Sequence, residues 1–253
     1  ALKPDVIFHL AAIVSGEAEA DFEKGYRINL DGTRYLFEAI RKAGGGYKPK
    51  VIFTSSIAVF GAPFPDAIPD EFFNTPLTSY GTQKTICELL LADYSRRGFF
   101  DGVGLRFPTV CVRPGKPNLA ASGFFSNIIR EPLAGQEAVL PVPEDVRHWH
   151  ASPRAAIGFL IHAATMDTGL LGSRRNVTLP GVSCTVGEQI EALRKVFGYD
   201  SFRGQQAEII DQVVEVDEEL MALYLEQGEE LKHEQLHDPF EKALREGHLI
   251  PVC

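Results

Sequence analysis

Three residues in the first third of the chain have the types and spacing for proton transfer: Ser56, Tyr80 and Lys84. A phenol has an unperturbed pKa near ~10, too high for a base at neutral pH. A nearby ammonium favours the phenolate and lowers that value. Tyr80 and Lys84 are four apart, so on a helix they share a face about one turn from each other. A serine hydroxyl opposite them can hold a substrate oxygen by donating or accepting a hydrogen bond. Together they suit oxidation of an alcohol: Tyr80 takes the hydroxyl proton, Lys84 lowers its pKa, and Ser56 fixes the oxygen. The plain alternative for the pair is an exposed lysine over a half-buried tyrosine.

Several elements must bring these groups together. Residues 50–54 read as a buried strand that ends in Ser55 and Ser56, and residues 82–97 as a helix with Tyr80 and Lys84 at its start. In open α/β sheets, ligands bind beyond the carboxyl ends of the strands. Residues 6–10 form an earlier apolar run of strand length, followed by Ala11 and Ala12, small enough for close approach. His9 within that run has the plain reading of a packed core histidine. Residues 19–43 read as a helix stopped by three glycines, 44–46. Asn29, Gly32 and Thr33 sit inside it against helix propensity, and such violations concentrate at functional sites. A solvent-facing Asn29 is the alternative. Residues 61–78, with four prolines, read as a loop stiff enough to wall a pocket. A further strand is predicted over 102–107, helices over 122–133 and 154–166, and a short strand over 176–179. Thr185 and Glu188 have the spacing of a capping box that opens another helix.

These segments resemble the extended short-chain dehydrogenase/reductases. Ser56-Ile57-Ala58-Val59-Phe60-Gly61 is similar to that family's Ser-x-x-x-(Tyr/Phe)-Gly segment, and Tyr80-x-x-x-Lys84 to its catalytic pair. The wording of "HLAAIVSGEAEADFEKGYRINLDGT", "GAPFPDAIPDEF" and "VPEDVRHWHASPR" resembles the D-erythronate dehydrogenase branch, over about residues 1–195. The resemblance implies an α/β fold. This would be a truncated, Rossmann-like, doubly wound parallel sheet with a small substrate-side region and an acidic helical tail. It implies NAD as cofactor and Ser56, Tyr80 and Lys84 as the catalytic residues. His9, Leu10, Ala11, Asn29, Thr54, Tyr80, Lys84, Pro108 and Val110 are implied at the cofactor. Asn29 would order the active site from below. For a sugar-acid substrate, Ser56 and Arg147 are implied on the substrate side, with Arg154 second. An arginine fork can bind both oxygens of a carboxylate. A surface salt bridge is the alternative for either arginine. Relatives dimerise through the helix that carries Tyr80, so a homodimer is implied too.

Two departures from the family pattern stand out. No Gly-x-x-Gly-x-x-Gly occurs, so the chain is expected to start at the family's fourth strand, with its first remaining strand as a sheet edge. After Lys195 the wording changes. "FGYDSFRGQQAEIIDQVV" (197–214) resembles the start of a RecQ-type helicase, with Gln206 at the adenine-reading position. Residues 215–253 resemble part of the GTP-binding domain of an elongation factor G paralogue. Neither stretch carries a phosphate loop. The domain expectation is therefore an incomplete dehydrogenase domain over 1–195 and a helical tail of unrelated origin over 196–253, a chimera. Leu220, Leu223, Tyr224, Leu236, Phe240 and Leu244 would give that tail a modest apolar face.

Composition narrows the function classes. The net charge of −9 sits mostly in the tail: residues 215–253 carry 11 acidic and 3 basic side chains, the first 214 residues 23 and 22. Neither part has the basic stripe that nucleic acid requires. No apolar run reaches the ~18 residues of a membrane span. The first residues show no signal-peptide pattern. Four scattered cysteines suit a reducing compartment and no zinc site, and His148 and His150, two apart, have no acidic or cysteine partner at ligand spacing. The expectations are a cytoplasmic protein with no metal, no membrane and no nucleic acid. Two other classes compete with the sugar-acid oxidoreductase: a dehydrogenase remnant that keeps its shape without cofactor, and a nucleotide-driven helicase or translation factor.

Overall fold

The computed structural model describes residues 2–69, 72–115 and 119–197. The expectations for the tail, including both resemblances beyond Lys195, lie outside the described residues. In chain order the elements are β1 (Val6–His9), α1 (Ser15–Ala20), α2 (Phe22–Gly25), a π-helical turn (Tyr26–Asp31), α3 (Gly32–Ala43), β2 (Lys50–Ser56) and α4 (Ser79–Arg96). Then come β3 (Asp101–Phe107), β4 (Thr109–Val110), α5 (Phe124–Leu133), β5 (Arg147–Ala151), α6 (Pro153–Thr165), β6 (Asn176–Thr178), β7 (Val182–Thr185) and α7 (Val186–Phe197).

The described chain divides into two compact units. The first, residues 2–107 and 157–179, is built on a four-stranded parallel sheet in the order β1-β2-β3-β6. Parallel strands are covered on both faces, which is why 50–54 reads as a buried strand without alternation. Alternation still sorts the side chains. Ile7, Val51 and Phe53 join Phe37, Ile40, Cys87, Leu91 and Phe100 in one core cluster; Ile52, Val103 and Leu105 join Ala163 and Leu179 in another. α3 and α4 supply the first cluster, the 157–165 stretch of α6 the second. β1 lies at the sheet edge, as expected.

The helix predicted over 19–43 is several pieces. It starts earlier, at Ser15, breaks at Asp21, and passes through the π-helical turn before α3. Asp21 caps the next segment by accepting the Lys24 N–H at 3.0 Å. The wider turn places Asn29 inside, only 3 % exposed, so the solvent-facing alternative is not what the fold adopts. Such turns occur mostly as single insertions, often at functional sites.

The second unit, residues 108–156 and 180–197, holds a three-stranded sheet in the order β4-β5-β7, with β4 and β5 parallel and β7 antiparallel to β5. Strands β5 and β7 go beyond the elements expected from sequence. Arg-His-Trp-His-Ala lacks apolar alternation, yet its histidines pack as aromatics. Phe125 of α5 stacks on His148 at 4.4 Å between centroids and meets His150 edge-on at 4.8 Å. The capping box forms as predicted: Thr185 Oγ1 accepts the Glu188 N–H at 3.1 Å, and Glu188 Oε2 accepts the Thr185 N–H at 2.6 Å.

Candidate active site

The site is built where β2 ends and α4 begins. Ser56 is the last residue of β2, and its Oγ accepts the Ala58 N–H at 3.1 Å, turning the chain off the sheet. Thr78 caps α4 by accepting the Gly81 N–H at 3.0 Å, so the helix begins at Ser79, three residues before the start read from sequence. Gly81 rests against the Ala58 carbonyl, where no Cβ would fit. The first turn of α4 therefore seats directly on the segment that leaves Ser56, and Tyr80 rides on that turn.

Lys84 lies beneath. Its side chain is buried, its Nζ donates to the Thr54 carbonyl at 2.6 Å, and it sits 5.6 Å from the centroid of the Tyr80 ring and 4.8 Å from that of Phe53. Burial lowers its pKa to about 8, with Cys87 and Glu88 pulling the other way. Below that pH an ammonium faces the Tyr80 ring. The exposed-lysine alternative fails on burial alone.

The end of β1 is tied to the same place. Thr54 Oγ1 donates to the His9 carbonyl at 3.2 Å. Thr33 Oγ1 donates to the Asn29 carbonyl at 2.6 Å and lies 2.8 Å from His9 Nε2, which assigns Nε2 as the protonated nitrogen. Burial first, and Lys84 second, hold the His9 pKa down at about 4, so its ring is neutral at physiological pH. His9 is thus the satisfied core histidine of the plain reading, set at the strand end beside exposed Leu10 and Ala11. Asn29 spends its whole amide on positioning. Its Oδ1 accepts the Ile13 N–H at 2.9 Å, and its Nδ2 donates to the Ile13 carbonyl at 3.2 Å and to Gln83 Oε1 at 2.8 Å. The loop after β1 is thereby fastened to α4 one residue before Lys84.

His9, Asn29, Thr54, Ser56, Tyr80 and Lys84 are gathered in the first unit. Pro108, Val110 and Arg147 belong to the second, and Arg154 opens α6 there. Arg147 is exposed; its Nη1 donates to the Ser183 carbonyl at 3.0 Å and its Nη2 lies 3.4 Å from Glu188 Oε2. Arg154 is exposed as well. Sequence reasoning missed Gln83 and the buried group of Ser55, Asn74, Glu88 and Arg106. One signal was available: Glu88 continues the Tyr80–Lys84 face at the next helical turn, and Arg106 is a charge within an apolar strand. Among the described residues, no group of three His, Cys, Asp or Glu side chains could hold a metal ion, and no helix is long and apolar enough to cross a membrane.

Comparison with known proteins agrees with this geometry. The model of the NAD dependent epimerase/dehydratase family matches residues 1–152. The D-erythronate dehydrogenase of Cupriavidus necator is 54 % identical over 192 residues, which cover 76 % of this chain and 59 % of that protein. The D-erythronate dehydrogenase of Haemophilus influenzae is 49 % identical over 194 residues, 77 % of this chain and 61 % of that protein. The chain thus spans about three fifths of the length of these relatives. A crystal structure of a nucleoside-diphosphate-sugar epimerase from Agrobacterium tumefaciens superposes with a TM-score of 0.75 at 73 % identity, covering 83 % of this chain and 63 % of that one. With a parallel sheet, a serine at the end of β2 and a Tyr-x-x-x-Lys turn seated against it, the chain belongs to the NAD dependent epimerase/dehydratase family.

Proposed function

We propose that this sequence encodes the catalytic part of an NAD-dependent oxidoreductase acting on a secondary alcohol of a D-erythronate-like sugar acid. The observation that carries the reading is the buried Lys84 ammonium beside the Tyr80 ring, at the carboxyl end of the sheet. The two D-erythronate dehydrogenases at about half identity support the substrate class.

The residues present fit the nicotinamide end of the cofactor. Exposed Leu10 and Ala11 leave the end of β1 open to close approach, while the pyrophosphate-cradling glycine turn is not in this sequence. Leu10, Ala11, Thr54, Tyr80, Lys84, Pro108 and Val110 would hold NAD, with His9 and Asn29 fixing the loop around it. When bound, NAD supplies the hydride acceptor. The chain's own work is proton handling and orientation: Ser56 holds the alcohol oxygen, Tyr80 accepts its proton, and Lys84 favours the phenolate. Arg147, with Arg154 second, would take the carboxylate. The wider reading adds a cytoplasmic homodimer with a domain boundary near residue 195, followed by sequence of unrelated origin.

Incubation with NAD and D-erythronate tests this directly. Growth of NADH absorbance that disappears in Tyr80→Phe is expected; turnover that survives the substitution refutes the assigned base. The competing reading is a remnant that keeps the fold without cofactor. Calorimetry with NAD separates the two, since micromolar binding contradicts the remnant.

A further inference from the structure

The two residues of β2 that precede Ser56 are both tied to α4. The Thr54 carbonyl accepts from Lys84 Nζ at 2.6 Å, and the Ser55 hydroxyl donates to Glu88 Oε1 at 2.6 Å. Lys84 and Glu88 lie one helical turn apart, on the face that carries Tyr80 one turn earlier. The strand end and the helix bearing the phenol are thus joined twice, directly ahead of Ser56. Just beyond Ser56 they meet again, where Gly81 rests against the Ala58 carbonyl.

The carboxylate that Ser55 reaches is itself anchored. Glu88 is 1 % exposed and Arg106 8 %. Arg106 stands beside Ser55 in the register of β3 on β2. Its Nε donates to Glu88 Oε1 at 2.9 Å and its Nη2 to Oε2 at 2.7 Å, a two-pronged pairing. Asn74 joins both charges: its Nδ2 donates to Glu88 Oε2 at 3.0 Å, and its Oδ1 accepts from Arg106 Nη2 at 3.0 Å. Burying such a pair carries a desolvation cost that apolar side chains would avoid. A fully bonded buried network holds its members in one arrangement. Here that arrangement sets β2, β3 and α4 against one another, at the level of the residue before Ser56.

We propose that Ser55 is a positioning residue of the reaction: by donating to the anchored Glu88 carboxylate, it fixes the spacing between Ser56 and Tyr80 across which the alcohol is held. This rests on the oxidoreductase reading above. The test uses the 253-residue chain with two variants. Ser55→Ala removes one bond and leaves Glu88 charged and held by Arg106 and Asn74. Asn74→Ala is the control, because it takes two bonds from the same group without touching β2. Ser55→Ala is expected to lower kcat for D-erythronate about tenfold, with the KM for NAD held within about twofold, as for a slightly misplaced reacting group. Its melting temperature should stay within about 4 °C of the parent. The second readout needs no turnover. The Ala58 N–H, bonded to Ser56 Oγ at 3.1 Å, reports the turn that Ser56 makes. Its hydrogen exchange should quicken about tenfold in Ser55→Ala, as the strand end loosens locally. Asn74→Ala should leave kcat and Ala58 exchange near those of the parent. If Ser55→Ala leaves either unchanged while the parent oxidises the sugar acid, this inference falls and the functional reading stands. Equal losses in Asn74→Ala, or a fall in kcat joined by a raised KM for NAD and a lower melting temperature, would mean that Ser55 only supports the fold, and overturn it too. If the parent neither binds nor oxidises D-erythronate, the functional reading falls and the catalytic half of this inference with it, whereas faster Ala58 exchange in Ser55→Ala still identifies the clamp.

Discussion

Lys84 and Arg147 are both cations assigned to one reaction, and the fold treats them in opposite ways. Lys84 is buried, hydrogen-bonded to backbone and shifted in pKa to about 8. Arg147 is 54 % exposed at its side chain and paired at 3.4 Å with an equally exposed Glu188. The difference fits the two proposed tasks. Tuning a neighbouring phenol needs a fixed charge in a low dielectric, where the interaction is strong. Capturing a diffusing carboxylate needs a charge that solvent and substrate can reach. The same contrast separates two ion pairs: Glu88–Arg106 is enclosed, joined by two hydrogen bonds and held by three more to Ser55 and Asn74, whereas Arg147–Glu188 is a rim pair of little energetic consequence.

The largest effect should fall on the buried side. Tyr80→Phe is expected to lower kcat by about 10² to 10⁴ while leaving the melting temperature near that of the parent, the range for removing a general base. A steady-state assay checks it. Next, Glu88→Ala should destabilise the first unit by about 3–5 kcal/mol, because it strands a buried guanidinium, whereas Arg147→Ala should cost no more than about 1 kcal/mol. Urea unfolding of both variants breaks the contrast if the two losses are alike. In the assay the order reverses for substrate capture: Arg147→Ala should raise the KM for the sugar acid by about tenfold or more with kcat preserved, the value of a charge-assisted hydrogen bond. Should only Arg154→Ala do so, the carboxylate site moves to Arg154.

The last expected effect concerns pH. The folded pKa of Lys84, about 8, lies below its unfolded value of 10.5. Between those values the unfolded chain holds the proton and the folded chain does not, so this group makes stability rise with pH across that window. Below it, the cost of burying the charge is present in full. Lys84→Met should lose this rise, read as the difference in unfolding free energy between variant and parent from pH 8 to 10.5. A constant difference would mean that Lys84 is not shifted.

What the sequence disclosed was local. The buried strand over 50–54, the capping pair Thr185–Glu188 and the Tyr80–Lys84 spacing each write their geometry within one or two turns of chain. The Ser55–Asn74–Glu88–Arg106 group does not, because its members come from two strands, a loop and a helix, and meet only when the sheet assembles. β5 escaped because the pattern rule asks for aliphatic alternation, while here histidine rings do the packing. Asn29 stands out in sequence as a misfit in its helix, but its partner Gln83, 54 residues away, can be named only from the fold.

The wide turn around Asn29 carries a lesson for aligning this chain with others. A π-helical turn absorbs one surplus residue without rotating the helix beyond it, so Phe37 and Ile40 keep their bearing on the sheet. A homologue lacking one residue between positions 26 and 31 would keep the same core contacts. It would lose the inward amide, and with it the strap that ties Ile13 to α4. A gap of length one at that point in an alignment would then mark a change in how the neighbouring loop is governed, rather than a neutral indel.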